Sequence, residues 1–438
     1  SFPTRRSSDL GMVVGLGTGS TAAWFVKALA ARKLTDIKGV LDANGELIRQ
    51  MTIEEARELI ASGVATGGMI PKLENAIHAV ESGVEAVVMN YYRHIDREKV
   101  QFDFIVNKQK PGDYDDEIRR LGGHIYQSPG LNPLHYPAYL RFVQQTVAAD
   151  PRIRILHAHN EAMGLYALKG AEKAGLQVRI AHAHNIWIVR DYKWPLKMFC
   201  KQLLPGAATH LWACGRDAGI YYFGKADWER RGQIIPNAIE PETFRFSPAV
   251  RAEMRARYGL EDRVVLGHVG RFDVRKNHER LLEIFAAFLQ LEPRAMLVLI
   301  GTGRLEQAVR AQAQELGITD HILFAGLQSN VADWYQMMDL FVMPSRFEGL
   351  PVVGIEAQAA GLGCVFSDAV PAEVLLSSHA IQIPLSASNA DWAAGLQRML
   401  HQPCDRSAGA ELIRQAGYDI NIAAARLQQQ YLQLGGQA

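Results

Sequence analysis

The sequence predicts an α/β protein of two doubly wound domains facing a cleft, and three observations carry that prediction. Over the last four-fifths of the 438 residues, short runs of aliphatic and β-branched residues alternate with helical patterns. That alternation is the signature of parallel sheets covered by helices. It restarts after Pro236-Asn237-Ala238-Ile239, so there are two such units rather than one. The composition, 48% hydrophobic and 21% charged, is that of an ordinary soluble globular enzyme and excludes wholesale disorder.

At roughly 100–200 residues per domain, the length allows two or three cores. A net charge of +1, from 47 Lys+Arg against 46 Asp+Glu, argues against a nucleic-acid partner, which calls for a basic excess. Cys200, Cys214, Cys364 and Cys404 show no CxxC spacing. Neither a disulfide framework nor a zinc site is expected, and a reducing cytoplasm is the simplest location. No run of about 18 apolar residues occurs, so no membrane span is expected.

The N-terminal fifth reads as three foreign pieces. Residues 1–10 lack the apolar stretch and cleavage site of a signal peptide and resemble the in-frame translation of a sequencing adapter. In residues 11–33, Met12-Val-Val-Gly15-Leu-Gly17-Thr18-Gly19 followed by the apolar Ala22–Leu29 reads as strand, Gly-rich turn and helix. Such a turn can hold a phosphate on backbone N–H groups. It resembles the phosphate loop of ribose-5-phosphate isomerase, without that family's downstream proton-transfer motifs.

Residues 34–83 carry Leu34-Thr-Asp36-Ile-Lys-Gly39 and Thr66-Gly-Gly-Met-Ile-Pro71-Lys72. Between them Thr52 and Glu55 form a capping box ahead of a helical pattern. The segment resembles the C-terminal part of acetylglutamate kinase. That family's Gly-rich loop and catalytic lysine are missing, so no phosphoryl transfer is expected. Gly83-Val-Glu-Ala-Val-Val88 suits both neighbours, as where unrelated coding sequences are joined through a shared stretch.

Within 84–240, Phe102–Val106, Ile153–His157 and Val178–Ala181 read as buried parallel strands. A doubly wound sheet places its first strand centrally. Ile70–Ser82, ahead of these strands, reads as a helix rather than a buried strand, so this domain is expected to lack its first strand. Within 241–390 the predicted strands are Val264–Val269, Leu297–Ile300, Ile322–Phe324, Leu340–Met343 and Cys364–Ser367. Residues 391–438 read as helices that brace the fold.

The chemistry concentrates after the first strand of the second unit. Gly267-His-Val-Gly270-Arg271-Phe272 leads to Lys276-Asn277 just ahead of a helix. A planar guanidinium and a compact ammonium at one strand end suit a diphosphate, although either alone would read as a surface cation. Further on, Glu348 lies on the loop Phe347-Glu348-Gly349-Leu350-Pro351, and Glu356 sits about one turn inside the helix that follows. That helix presents its positive N-terminal end to the same cleft. Its other residues, Val352, Val353, Ile355 and Ala357, are apolar, so the helix is expected to be buried and Glu356 to need a partner.

In the first unit, His157-Ala-His159-Asn160 and His182-Ala-His184-Asn185 each close a strand. The spacing sends both rings of a pair to one face, which fits metal ligands or packed core residues. Asp113-Tyr-Asp115-Asp116-Glu117 reads as an acidic helix start. Lys193, Lys197 and Lys201 recur beside Trp187, Trp194, Met198 and Phe199, and the 187–204 stretch is either a membrane-surface helix or a lysine face over a core.

Together these motifs resemble the family 4 glycosyltransferases, retaining enzymes of the two-domain GT-B fold. The resemblance implies that Arg271 and Lys276 bind the donor diphosphate, that Glu348 lies near donor sugar and phosphates, and that Glu356 binds the nucleotide ribose. Gly270, Asn277, Gly301, Gly303, Gly349, Leu350 and Pro351 would shape the donor pocket, with Leu327 and Val331 at the base. His184 would touch sugar or acceptor, with His157, His159 and His182 on the acceptor side. The implied donor is a nucleotide-diphosphate sugar, a UDP-sugar, and the acceptor a saccharide or lipid-linked one. Neither metal nor other cofactor is expected. The expected location is the cytoplasm, with peripheral contact at the inner face of the plasma membrane if the 187–204 stretch is a membrane-surface helix. Alternatives are a nucleotide-sugar 2-epimerase of the same fold and an inactive chimera that only binds nucleotide.

Overall fold

The computed structural model describes residues 84–107, 112, 114–129, 135–186, 188, 193–328 and 330–436. The expectations for 1–83, for Asp113 and for Trp187 lie outside the described residues. By contact density the chain falls into two units, one holding residues 84–89 and 101–136, the other 90–100 and everything from 137 onward.

In the first unit, β1 (Phe104–Val106) and β2 (Ile125–Gln127) pair in parallel, with Phe104 opposite Ile125. Between them the helix Asp115–Arg120 opens on Asp115, Asp116 and Glu117, the charges its N-terminal dipole favours. All three residues of β1 are half-buried rather than buried, since a two-stranded sheet leaves much of a strand uncovered.

The second unit holds two parallel sheets. The first runs in the order β3 (Ile155–Ala158), β4 (Val178–Ala183), β5 (His210–Ala213), β6 (Gly232–Ile234). Among the described residues no strand pairs with the outer side of β3, and β1–β2 form a separate sheet.

The other sheet has six strands: β7 (Val264–Val269), β8 (Ala295–Ile300), β9 (Ile322–Gly326), β10 (Leu340–Met343), β11 (Gly363–Ser367) and β12 (Ala380–Ile383). They lie in the order β9-β8-β7-β10-β11-β12. In chain order that is the 3-2-1-4-5-6 arrangement of a dinucleotide-binding domain, whose ligand crevice opens where the order reverses, here between β7 and β10. Both faces are buried, which explains the unbroken apolar runs. Val265, Val298 and Phe341 face one core with Ile355 and Phe366, while their neighbours Leu266, Leu297 and Val342 face another with Phe285 and Trp392.

Two chain crossings join the halves of this second unit, and they touch. Ile239 N–H donates to the Tyr418 carbonyl (2.9 Å) and Ile420 N–H to the Ile239 carbonyl (2.8 Å). The helix Val84–His94 secures the first crossing, with Tyr91 Oη donating to the Pro236 carbonyl at 2.6 Å and Asn90 Nδ2 to the Ala238 carbonyl at 2.9 Å. In the tail, helix Asn389–His401 opens on a Ser388–Asp391 capping box and buries Trp392, Leu396 and Met399. The last helix, Ile420–Gly436, returns to the first sheet, where the Gln428 side chain accepts from Asp96 N–H at 2.8 Å. Among the described residues no helix is long and apolar enough to cross a membrane.

Candidate active site

The crevice between β7 and β10 is built by two loops that need glycine. Gly270 N–H donates to the Ile300 carbonyl at 2.9 Å, and Phe272 N–H to the Thr302 carbonyl at 3.0 Å. A Cβ on Gly301, whose φ is +122°, would stand 2.3 Å from the Gly270 carbonyl oxygen, and one on Gly303 would stand 2.6 Å from that of Phe272. A Cβ on Gly270 would press at 3.0 Å on the Lys276 stem, so this glycine leaves the lysine its path.

The Asp273 carboxylate then folds the loop by accepting from the backbone N–H groups of Arg275 (2.9 Å) and Lys276 (3.3 Å). Asn277, in the left-handed region at φ 56°, turns the chain into helix His278–Leu289. Its Nδ2 donates to the Pro344 carbonyl at 3.0 Å and its Oδ1 accepts from Arg346 Nε at 3.0 Å. The Asn277 amide therefore bolts the β7 loop to the end of β10.

That bolt brings the expected cation and carboxylate together. Lys276 Nζ lies 2.9 Å from Glu348 Oε1, with the two side chains 13% and 12% exposed. The contact is an ion pair by proximity, since Glu348 Oε1 makes no hydrogen bond of good geometry. Ser345 Oγ, His268 Nε2 and both ring nitrogens of His278, on the same strand ends and loops, are likewise buried without a hydrogen bond to the described residues. His278 stacks on Phe272 with ring centroids 4.1 Å apart. Burial, with Lys276 nearby, pushes His268 down to about 4, so its ring is neutral. Arg271, on the same loop, is exposed, and partial burial together with Arg275 lowers its guanidinium from the ordinary value.

Helix Val352–Ala359 starts at the extended Pro351 without a side-chain cap. Leu350 and Pro351 are buried, and Gly349 abuts β4: a Cβ there would lie 3.2 Å from the His184 carbonyl oxygen. Glu356 has the partner its burial demands, since Tyr335 Oη donates to its Oε2 at 3.0 Å. Burial raises this carboxyl to about 7, against the smaller downward pull of that hydrogen bond. Leu327 and Val331, at the end of β9 and the start of helix Val331–Met337, are half-buried.

On the first sheet the four histidines form one stack. His157 Nε2 lies 3.0 Å from His182 Nδ1, and His159 Nδ1 lies 2.9 Å from His184 Nε2. Ring centroids within each pair along a strand are 4.1 Å apart. Tyr431 Oη, from the last helix, sits 2.6 Å from His157 Nδ1. Burial holds all four rings neutral, with His157 down to about 3 and His184 to about 4.

Sequence reasoning missed three residues here. Glu161 follows β3 at φ +51°, rare for a non-glycine residue, and its carboxylate accepts from Asn185 Nδ2 and from Tyr222 Oη (2.8 Å). Burial raises its carboxyl above the usual range. Glu373, beyond β11, accepts from Arg216 N–H at 2.8 Å and so links the two sheets' loops. Tyr335 and the Glu161 geometry leave no trace in spacing or composition.

Comparison with known proteins agrees with this architecture. The model for Glycosyltransferase Family 4 matches residues 82–243, and that for group 1 glycosyl transferases matches 250–416. The Amino acid kinase family matches 11–90, a span that also takes in the isomerase-like stretch. A protein named as the glycosyltransferase EpsF of Bacillus subtilis is 34% identical over 78% of this chain and 91% of its own length. A GDP-mannose-dependent phosphatidylinositol monomannoside mannosyltransferase of Mycolicibacterium smegmatis is 27% identical over 58% of this chain and 68% of its own. The acetylglutamate kinase of Caulobacter vibrioides is 65% identical over 82 residues, but the chain spans only 27% of that kinase.

Among solved structures, HepE of Anabaena in complex with UDP superposes with a TM-score of 0.65 at 17% identity, over 82% of this chain and 97% of that one. Sucrose-phosphate synthase of Thermosynechococcus elongatus gives 0.63 at 19%, over 82% and 94%. These likenesses show the GT-B fold. With a relative of this identity matched nearly end to end and a switch-point crevice carrying Lys276 and Glu348, the chain from residue 82 onward belongs to the group 1 and family 4 glycosyltransferases, behind an N-terminal piece of acetylglutamate kinase type.

Proposed function

We propose that the glycosyltransferase part of the chain, when its first domain has a complete sheet, transfers a hexosyl unit from a nucleotide-diphosphate sugar, a UDP-sugar, to a saccharide or lipid-linked acceptor in polysaccharide or glycolipid assembly, with retention at the anomeric carbon. The observation that carries this reading is the Lys276–Glu348 pair at the point where the strand order reverses. In this reading Arg271 and Lys276 take the charge that develops on the departing diphosphate, helped by the uncapped N-terminus of helix Val352–Ala359. Glu348 holds Lys276 in place and faces the donor sugar, and Glu356 accepts a ribose hydroxyl. The acceptor hydroxyl approaches the face from which the diphosphate leaves, near His184, whose carbonyl lies against Gly349.

The buried, unsatisfied atoms of Ser345, His268 and His278 support a polar ligand there. Peripheral membrane contact through helix Trp194–Ala207 fits a lipid-linked acceptor, since Phe199 and Leu203 are 58% and 45% exposed. The decisive experiment incubates the protein, as it stands and with residues 1–82 replaced by a glycosyltransferase-type strand and Gly-rich loop, with UDP- and GDP-sugars, with and without a glycolipid acceptor, and reads product and anomeric configuration by NMR. An inverted anomer would refute retention, and sugar isomerised without acceptor would identify an epimerase.

A further inference from the structure

We propose that His157, His159 and His182 bind one divalent transition-metal ion of the zinc class, with His184 beside it. One nitrogen from each of the three rings lies within 4.8 Å of the other two. In a tetrahedral site with metal–nitrogen bonds of about 2.0–2.1 Å, neighbouring ligand nitrogens stand about 3.3 Å apart. His157 Nε2 and His182 Nδ1 now share a hydrogen bond at 3.0 Å, close to that spacing, and binding would replace this bond while ring rotation brought in a His159 nitrogen.

The surroundings fit ligation. Tyr431 Oη holds His157 Nδ1 at 2.6 Å, which fixes the ring and leaves Nε2 as the ligating atom. His184 Nδ1 is buried and makes no hydrogen bond to the described residues, an arrangement that costs free energy unless something is bound. Three neutral imidazoles without a carboxylate select zinc, cobalt, nickel or copper over magnesium or calcium. The fourth position falls to His184 or a water. Bound there, the ion would tie the ends of β3 and β4 to each other and, through Tyr431, to the last helix. This site is separate from the diphosphate chemistry and does not rest on the proposed function.

The full chain, stripped with chelator and dialysed, is titrated with Co²⁺ as a visible probe. One equivalent should bind with the intense d–d bands of a low-coordinate imidazole site, and Zn²⁺ should displace it and raise Tm. Loss of a ligand in His159→Gln or His182→Gln should weaken binding by roughly 100-fold or more, and Tyr431→Phe, which removes only the supporting hydrogen bond, by roughly 10-fold. Binding of less than a tenth of an equivalent to the folded chain overturns the proposal, as do cobalt bands that survive in the histidine variants. Should those variants lose their circular dichroism signature, Tyr431→Phe decides, and unchanged affinity in that protein also overturns it.

Discussion

Lys276 and Glu348 hold each other at 2.9 Å in a nearly buried setting, so each governs how the other responds to substitution. Lys276→Ala strands a buried carboxylate as well as removing a phosphate cation. Arg271→Ala removes a cation only. In a chain whose residues 1–82 are replaced by a glycosyltransferase-type strand and Gly-rich loop, both should lower turnover by roughly 10²–10³, as for other lost transition-state donors, and steady-state kinetics with the true donor checks it. Near-normal turnover in both variants would remove the diphosphate assignment. Glu356 differs, because a ribose contact is equally present in ground and transition states: Glu356→Ala should raise the donor KM with little change in kcat. Its carboxyl also makes stability depend on pH. The folded-state value of about 7 exceeds the ordinary 4.5, so the folded protein binds more protons between these limits. The stabilisation contributed by this group should be complete below about pH 4.5 and be lost as pH rises through 7, a change of about 3 kcal/mol from Glu356 alone. Glu356→Gln should flatten that part of a plot of Tm against pH, and an unchanged slope would show that the carboxyl is not the source.

At the scale of elements, β7 and β10 are aligned at their amino ends by Asp339. Its carboxylate accepts from Val265 N–H at 2.8 Å and from Arg251 and Arg255 at 2.5 and 3.2 Å. Asp339→Ala leaves two guanidiniums without their counter-charge and should destabilise the second sheet by about 3 kcal/mol, read from its chemical denaturation midpoint. An effect below about 0.5 kcal/mol would mean the cluster is solvent-compensated. The same elements show what a single sequence reveals. Strands β7, β8, β10 and β11 were legible because burial on both faces makes them continuous apolar runs. Strand β5 begins at His210, β6 is only Gly232–Ile234, and β12 carries Gln382, so none offers such a run. Lys276, Glu348 and Glu356 were readable as charges in apolar text. Glu161 was not, since a left-handed backbone angle and a partner 61 residues away at Tyr222 leave no local pattern.

At the scale of the whole chain, the division of the first domain's strands into two sheets bears on activity. Among the described residues no strand pairs with the outer side of β3, and each backbone group buried there without a partner would cost about 1–3 kcal/mol. The second domain, with its six-stranded sheet intact, should bind nucleotide, while sugar transfer by the chain as it stands should be weak or absent. Replacing residues 1–82 with a strand and Gly-rich loop of the glycosyltransferase type should restore transfer, measured as product per minute beside the unaltered chain. Equal rates would refute the dependence on that strand.

The paired crossings at Ile239 and Tyr418–Ile420 have a mechanical consequence. A single peptide tether lets two bodies swivel about three axes, like a ball joint. Two tethers laid side by side and stitched by hydrogen bonds of 2.9 and 2.8 Å resist twisting and sliding, and leave one soft rotation, the swing of a door on its pin. Any opening or shutting of the crevice beside Lys276 would then follow a repeatable arc, and the leaf that swings back would return to the same register each cycle.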